Sequence, residues 1–232
     1  MRAVYLDLEH ASLPDLLTIT GDAAHHLIKV VRLKDHEKLL IMNGKGLLAS
    51  AEVKEIGKRD LRVQILQSKV EPKRELIKLV IAVPSKEAME DVLRQSVELG
   101  ITHIQPLLTQ YSEKHFEMSD RQRRVLESAL IQSNNPYFPE MAKAMKFEDY
   151  LKELSPEESY LYFSSRPRSN CAQALKIPCT LIIGPEGGFS ETEESALETR
   201  ANVKFIHLPS YILRTPTAVC TAAGLVFGSQ LK

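Results

Sequence analysis

Two stretches of the chain carry residue types and spacings able to hold a ligand. The first is Leu181-Ile-Ile-Gly-Pro-Glu-Gly-Gly-Phe-Ser190. An apolar run ends in a glycine loop, and Ser190 with Glu193 has the spacing of a helix capping box. Gly187 and Gly188 put no side chain in the way, so a flat ligand can approach the backbone there. The spacing is neither Gly-x-Gly-x-x-Gly nor that of a Walker A loop, which argues against a dinucleotide or a triphosphate. The second stretch is Leu208-Pro-Ser-Tyr-Ile-Leu-Arg-Thr-Pro-Thr-Ala218. Thr215 and Pro216 suit the N-cap and first position of a helix. Arg214 falls just before them, where exposed N–H groups and the positive helix end favour an anion. Taken alone, each stretch also fits a plain strand-to-helix turn, and Arg214 a surface ion pair. Two such loops after two successive strands, at the end of a sheet where α/β folds bind ligands, are stronger evidence than either.

Other polar clusters point to less. His25 and His26 are adjacent, so on a helix they do not face one way, and no Cys/His spacing completes a zinc set. No metal is expected. Arg121, Arg123 and Arg124 open a helix and read as a solvated face. Glu191, Glu193, Glu194 and Glu198 follow the glycine loop, and acid in a first helical turn has a local electrostatic explanation. Arg2, Lys29, Arg32 and Lys34 lie in a positive segment and are the candidates for nucleic-acid phosphate contacts.

The elements around these residues fall into two halves that meet near Glu71-Pro72-Lys73-Arg74, giving domains of residues 1–72 and 73–232. The first reads as strands with tight turns: Leu39–Met42, an Asn43-Gly44 turn, a return strand Leu47–Val53, and alternation through Leu61, Val63 and Ile65. His25–Arg32 is the one helical stretch, and the whole suggests a small β-barrel. In the second half strands and helices alternate. Leu76–Val83 is a strand, Ser85 caps a helix through Glu98, and Ile101–Leu108 is a strand interrupted by Pro106. Ser119 with Gln122 opens a helix to about Ser133, and Phe147–Leu154 is a short one. Tyr160–Phe163, Thr180–Ile183 and Val203–Leu208 are strands, with helices after the last two. Such alternation predicts an α/β fold with a mostly parallel sheet covered on both faces.

The chain has 232 residues, 44% of them hydrophobic and 26% charged, which is globular usage and excludes a disordered or collagen-like chain. No apolar run approaches the ~18 residues of a membrane span. The first residues lack the apolar core of a secretory signal, so a cytoplasmic, non-membrane protein is expected. Cys171, Cys179 and Cys220 are too few for a disulfide framework and suit free thiols. Lys and Arg together number 30, as do Asp and Glu, so any pull on nucleic acid must come from a local patch.

Gly184-Pro-Glu-Gly-Gly-Phe-Ser190 and Ile212-Leu-Arg-Thr-Pro-Thr-Ala218 resemble the two signature motifs of the RsmE family, SPOUT-class 16S rRNA (uracil-N3)-methyltransferases. Val97-Glu-Leu-Gly-Ile101 with Ile104 and Pro106 is a third, weaker match. His26, Val30-Val31-Arg32-Leu33, Gly44 and Gly46 are similar to the family's N-terminal PUA-like barrel. The resemblance implies a C-terminal SPOUT domain with a trefoil knot, a homodimer, and S-adenosylmethionine held in a bent shape. It implies methylation of N3 of one uridine in 16S rRNA of the small ribosomal subunit. By match, Phe163 with Ser164 beside it, Gly184, Pro185, Glu186, Gly187, Gly188, Leu208, Ile212, Leu213 and Thr217 would line the cofactor pocket. The chemistry requires the N3 proton to leave and the resulting ring charge to be stabilised, roles for which Glu186 and Arg214 are the candidates. The chain departs from the family at Gln95, Gln110, Tyr111, Ile131 and Asn135, which stand where charged residues are common. Alternatives are methylation of another RNA site, or a non-catalytic RNA-binding or ribosome-assembly factor of the same fold.

Overall fold

The computed structural model describes residues 2–9, 13–73, 77–164, 166 and 175–231. It forms two compact units, Met1–Lys73 with Glu127–Phe138, and Arg74–Leu126 with Pro139–Lys232.

The first unit is a five-stranded sheet in the order β1-β3-β4-β5-β2. Its strands are β1 (Arg2–Tyr5), β2 (Leu16–Ile19), β3 (Lys38–Met42), β4 (Leu47–Ile56) and β5 (Leu61–Val70). β1 runs parallel to β3, and the other pairs are antiparallel. Period-2 alternation buries Leu47, Ala49, Ala51 and Val53 of β4 beside Leu61 and Val63 of β5. Register shifts at Ser50/Ala51 and Val53/Glu55 bend the long β4–β5 pair. The expected hairpin is present. Asn43 Oδ1 accepts from the N–H groups of Lys45 (2.9 Å) and Leu47 (3.0 Å), while Gly44 and Gly46 take φ +70° and +103°. These glycines have a second reason, because a Cβ on either would overlap the ring of Phe138 or Tyr137. Residues 127–138 therefore belong with this sheet although they lie far along the chain.

The helix expected over His25–Arg32 begins earlier. α1 spans Gly21–His25 and continues as a π-helical turn, His26–Val30. It ends at Arg32, with φ +54°, where Leu33 N–H donates to Leu27 O at 3.1 Å. This is a Schellman-type stop with arginine where glycine is usual.

The second unit is built on a seven-stranded sheet, β12-β10-β11-β6-β7-β8, with β9 also pairing β7. In chain order the elements are β6 (Ile77–Ala82), α2 (Lys86–Glu98), β7 (His103–Leu108), α3 (Asp120–Ser133, which from Glu127 on belongs to the first unit), β8 (Glu140–Met141) and β9 (Met145–Lys146). Then come α4 (Phe147–Glu153), β10 (Tyr160–Ser164), β11 (Cys179–Ile183), α5 (Glu191–Glu198), β12 (Val203–His207) and α6 (Thr215–Gly228). Every pairing in this sheet is parallel among the described residues. Val80, Ile182 and Tyr162 pack on one face with Phe147, Phe189 and Leu197. Their neighbours Leu79, Leu181 and Leu161 point the other way and are also buried, so both faces are covered, as parallel sheets require. α6 and α2 pack together, and Val219, Ala222 and Ala223 of α6 and Met89 and Val92 of α2 are buried.

Both expected caps of α2 and α3 form. Ser85 Oγ accepts from Ala88 N–H, and Ser119 and Gln122 exchange reciprocal bonds. Pro106 does not interrupt β7 as expected. It pairs with Ile81 on one side and falls between the short pairings with β8 at His103–Ile104 and with β9 at Leu107–Leu108. On that side no strand asks for its missing N–H. Cys179 and Cys220 are free thiols, and burial pushes the Cys179 thiol up to about 11. Cys171 lies outside the described residues. In the connection from β10 to β11, residues 165 and 167–174 lie outside the described residues too.

Candidate active site

β11 is buried throughout and has β6 and β10 as neighbours. Such a strand is a rigid base for the loop at its carboxyl end. The loop turns at once: Gly188 N–H donates to Pro185 O at 2.9 Å, with Gly188 at φ +70°. Phe189 is buried and makes edge-on and tilted contacts with Tyr162 (5.3 Å) and Phe147 (5.5 Å), pinning the loop to the core. The Ser190–Glu193 capping box is complete, and Glu193 Oε1 also accepts from Gln110 N–H at 2.8 Å. The glycine loop is thus tied at its far end, while Glu186 and Gly187 at its tip are exposed.

The second loop follows the edge strand β12, which pairs with β10. Ser210 N–H donates to Leu208 O at 2.7 Å, and the chain then enters α6. The N-cap is Arg214 itself, not Thr215 as expected, and Pro216 sits in the first turn. Thr215 is instead buried, its Oγ1 donating to Gly184 O at 3.4 Å. That bond joins the two loops.

Between them, with Phe163 and Ser164 at the end of β10, lies a cleft of about 210 Å³. Of the expected cofactor residues, Phe163, Gly184, Pro185, Glu186, Gly187, Gly188, Leu208, Ile212 and Leu213 line it. Thr217 does not; it lies on the exposed face of α6, and its neighbours Thr215 and Ala218 reach the cleft in its place. Ser164 joins Phe163 there as expected, Thr215 was read from sequence only as a helix cap, and His207, which no motif marks, was missed. The rim carries apolar side chains with nothing over them, Tyr211 at 96% and Ile212 at 83% exposure. Bare backbone, apolar walls and a few polar groups suit a ligand that is part heterocycle and part charged.

Arg214 does not line this cleft. It lines a second, of about 690 Å³, together with Glu186, Tyr111 and Lys114. Glu186 borders both spaces.

Glu194, explained from sequence only as acid in a first helical turn, is buried behind the first cleft. It accepts from Tyr162 Oη (2.6 Å) and Ser164 Oγ (3.3 Å) and faces Arg166 Nη1 at 3.4 Å. Burial, then the bond to Glu194, pushes the Tyr162 phenol well above its ordinary range, so it stays a donor. Glu193 is buried as well, for the reason given above.

In the first unit Lys29, Arg32 and Lys34 are exposed. Arg2 pairs with Glu37 at 2.7 Å, and the same carboxylate oxygen accepts from Lys34 N–H. Ile131 and Asn135 also lie in this unit, while Gln95 is half-buried on α2. Among the described residues no group of three or more His, Cys, Asp or Glu is placed to hold a metal ion. No helix among them is long and apolar enough to cross a membrane.

Residues 71–227 match the model of an RNA methyltransferase domain. The chain belongs to that RNA methyltransferase family. Residues 19–66 match an RNA methyltransferase PUA domain, which bears out the PUA-like reading of the first unit. The chain is 29% identical to Ribosomal RNA small subunit methyltransferase E of Rickettsia conorii, over 96% of this chain and 93% of that protein. It is 28% identical to the protein of that name from Aquifex aeolicus, over 91% and 93%. Among solved structures it is similar to a Ribosomal RNA small subunit methyltransferase E from Neisseria gonorrhoeae bound to S-adenosyl methionine. The TM-score is 0.81 and the identity 26%, covering 97% of this chain and 95% of that one. The resemblance to the RsmE family is therefore borne out, and this methyltransferase has the mixed α/β fold expected, a PUA-like unit and a parallel-sheet catalytic unit.

Proposed function

We propose that this methyltransferase uses S-adenosylmethionine to methylate N3 of a uridine in 16S rRNA of the small ribosomal subunit. The observation that carries the reading is the cleft between two loops joined by Thr215 and Gly184, with Arg214 and Glu186 facing a second cleft beside it. The relatives named above, over nearly their whole length, support the substrate.

The residues fit the cofactor: the glycine loop offers backbone rather than side chains, and the uncovered apolar rim offers a surface for adenosine. When bound, S-adenosylmethionine supplies an electrophilic methyl group on a sulfonium. The loops Gly184–Gly188 and Leu208–Leu213 hold it aligned with the attacking nitrogen, a positioning effect worth several kcal/mol. Uracil N3 carries a proton at neutral pH. Glu186, exposed and bordering both clefts, accepts that proton directly or through water. Arg214 stabilises the negative charge left on the ring oxygens. Lys29, Arg32 and Lys34, with the Glu37-paired Arg2 contributing less, hold rRNA phosphates.

The working form is a homodimer in the bacterial cytoplasm. Supporting it, α6 is apolar nearly all round and leaves a face of Thr217, Thr221, Gly224 and Leu225 exposed, as a helix bound for an interface does. The trefoil knot would fold the β12–α6 loop against the glycine loop.

The test is transfer of labelled methyl to small subunits from a strain lacking the enzyme, with mapping of the modified nucleotide. The reading expects N3-methyluridine in 16S rRNA. A methylated ribose would favour a different RNA target, and RNA binding without transfer would favour a non-catalytic factor.

A further inference from the structure

The second cleft is built in a way that selects what enters it. Four carboxylates, Glu87, Asp91, Glu113 and Glu186, line it against two cations, Lys114 and Arg214, and Asp91 is itself paired with Arg94 at 2.6 Å. A phosphate is repelled there, whereas an uncharged heterocycle is not. Lys114 is also partly spent, its ammonium donating to the carbonyls of Thr109 (3.0 Å) and Gln110 (2.7 Å).

Those bonds belong to a tightly held loop. Thr109 N–H donates to Ser112 Oγ at 2.8 Å, Gln110 N–H to Glu193 at 2.8 Å, and Glu113 N–H to Val83 O at 2.9 Å. In the middle of this tied backbone stands Tyr111, 54% exposed, its hydroxyl without a partner among the described residues. It abuts the glycine loop, since a Cβ on Gly187 would come within 3.1 Å of Tyr111 Cβ. A rigid backbone thus presents a free aromatic ring where the cleft meets the cofactor loop. An aromatic with no core to join and no hydrogen bond to make is a stacking surface.

Resting on the function proposed above, we propose that the second cleft receives the target pyrimidine out of the RNA strand and that Tyr111 stacks on it. The ring would fix the base plane beside Glu186 and Arg214 while phosphates stay outside the acidic lining.

The experiment compares Tyr111→Ala, Tyr111→Phe and Tyr111→Trp with the unaltered chain. Three quantities are read: affinity for unmodified small subunits by filter binding, methyl transfer to them, and S-adenosylmethionine affinity by calorimetry. Loss of a stacked base weakens binding by roughly 5- to 100-fold. Tyr111→Ala should therefore lower subunit affinity, and kcat/KM, by that range. Cofactor affinity should stay within twofold, which also shows that the variant is folded. Tyr111→Phe and Tyr111→Trp should keep most of both. The proposal is overturned if Tyr111→Ala binds and methylates subunits as well as the unaltered chain. It is equally overturned if Tyr111→Phe loses as much as Tyr111→Ala, or if cofactor affinity falls in parallel. An unaltered chain that binds no S-adenosylmethionine would instead sink the underlying reading, whatever Tyr111 does.

Discussion

Gly184→Ala isolates the cradle from the chemistry. Gly184 directly follows β11 and its φ is not in the left-handed region, so alanine meets no backbone strain there. The added Cβ would lie 3.2 Å from Gly188 Cα and 3.2 Å from Phe189 Cδ2, closer than ordinary contact. Phe189 is buried against Tyr162 and Phe147 and has little room to yield, so the glycine loop must move by a few tenths of an ångström. Overpacking of this kind costs about 1–3 kcal/mol. For a chain of this size that lowers Tm by about 2–4 °C per kcal/mol. The displaced backbone at Gly187 and Gly188 weakens a hydrogen bond or two to the cofactor, each worth about 1 kcal/mol, so affinity should fall about 5- to 30-fold. Calorimetry with S-adenosylmethionine, beside a thermal melt, reads both effects. A variant with lowered Tm and undiminished cofactor affinity would refute the claim that this loop backbone touches the cofactor.

Three further substitutions probe separate parts of the account. Arg214→Ala should reduce kcat by about 100-fold, the usual loss for one charge-stabilising group, with cofactor affinity unchanged, because Arg214 lines the second cleft and not the first; collapse of cofactor affinity instead would contradict its role. Arg32→Gly relieves a left-handed arginine, so the chain should hold its stability or gain about 1 kcal/mol by thermal melt. The same variant should bind rRNA more weakly with a salt slope shallower by about one, and an unchanged slope removes Arg32 from the phosphate contacts. Tyr162→Phe tests the buried pair behind the first cleft. The folded chain keeps the Tyr162 proton above the ordinary 10.0, so above that pH the unfolded chain sheds a proton the folded one retains, and stability falls as pH rises. The variant should lose about 1–3 kcal/mol at neutral pH, with the Glu194 carboxylate missing one donor, yet show a gentler alkaline decline. Urea titrations at pH 7 to 11 measure both.

Much of this fold is legible in the sequence because local signals carry it. The Ser190–Glu193 and Ser119–Gln122 boxes, the Asn43-Gly44 turn and the alternation of strands with helices are short-range patterns, and each forms where expected. What stayed hidden depends on distant parts of the chain. Tyr137 and Phe138 cover Gly46 and Gly44 from far along the sequence, which brings residues 127–138 to the first unit. Pro106 reads as a strand breaker until the gap between β8 and β9 is seen. Glu194 has a local explanation as first-turn acid, and only the position of Tyr162 and Ser164 across the fold reveals its burial and its bonds. The loop motifs and the end of β10 marked most of the first cleft, but Thr215 was read only as a cap and His207 reaches the cleft through packing that no residue spacing announces. Arg214 was found by its place before a helix, while its assignment to a different cleft from the glycine loop needed the structure.

The central claim is that two loops joined by one threonine form the cradle for the methyl donor, and amide hydrogen exchange with and without S-adenosylmethionine tests it most directly. The account predicts that saturating cofactor slows exchange in both 184–188 and 208–213 and leaves the five-stranded unit unchanged. Protection of neither loop, or of one loop alone, would contradict it.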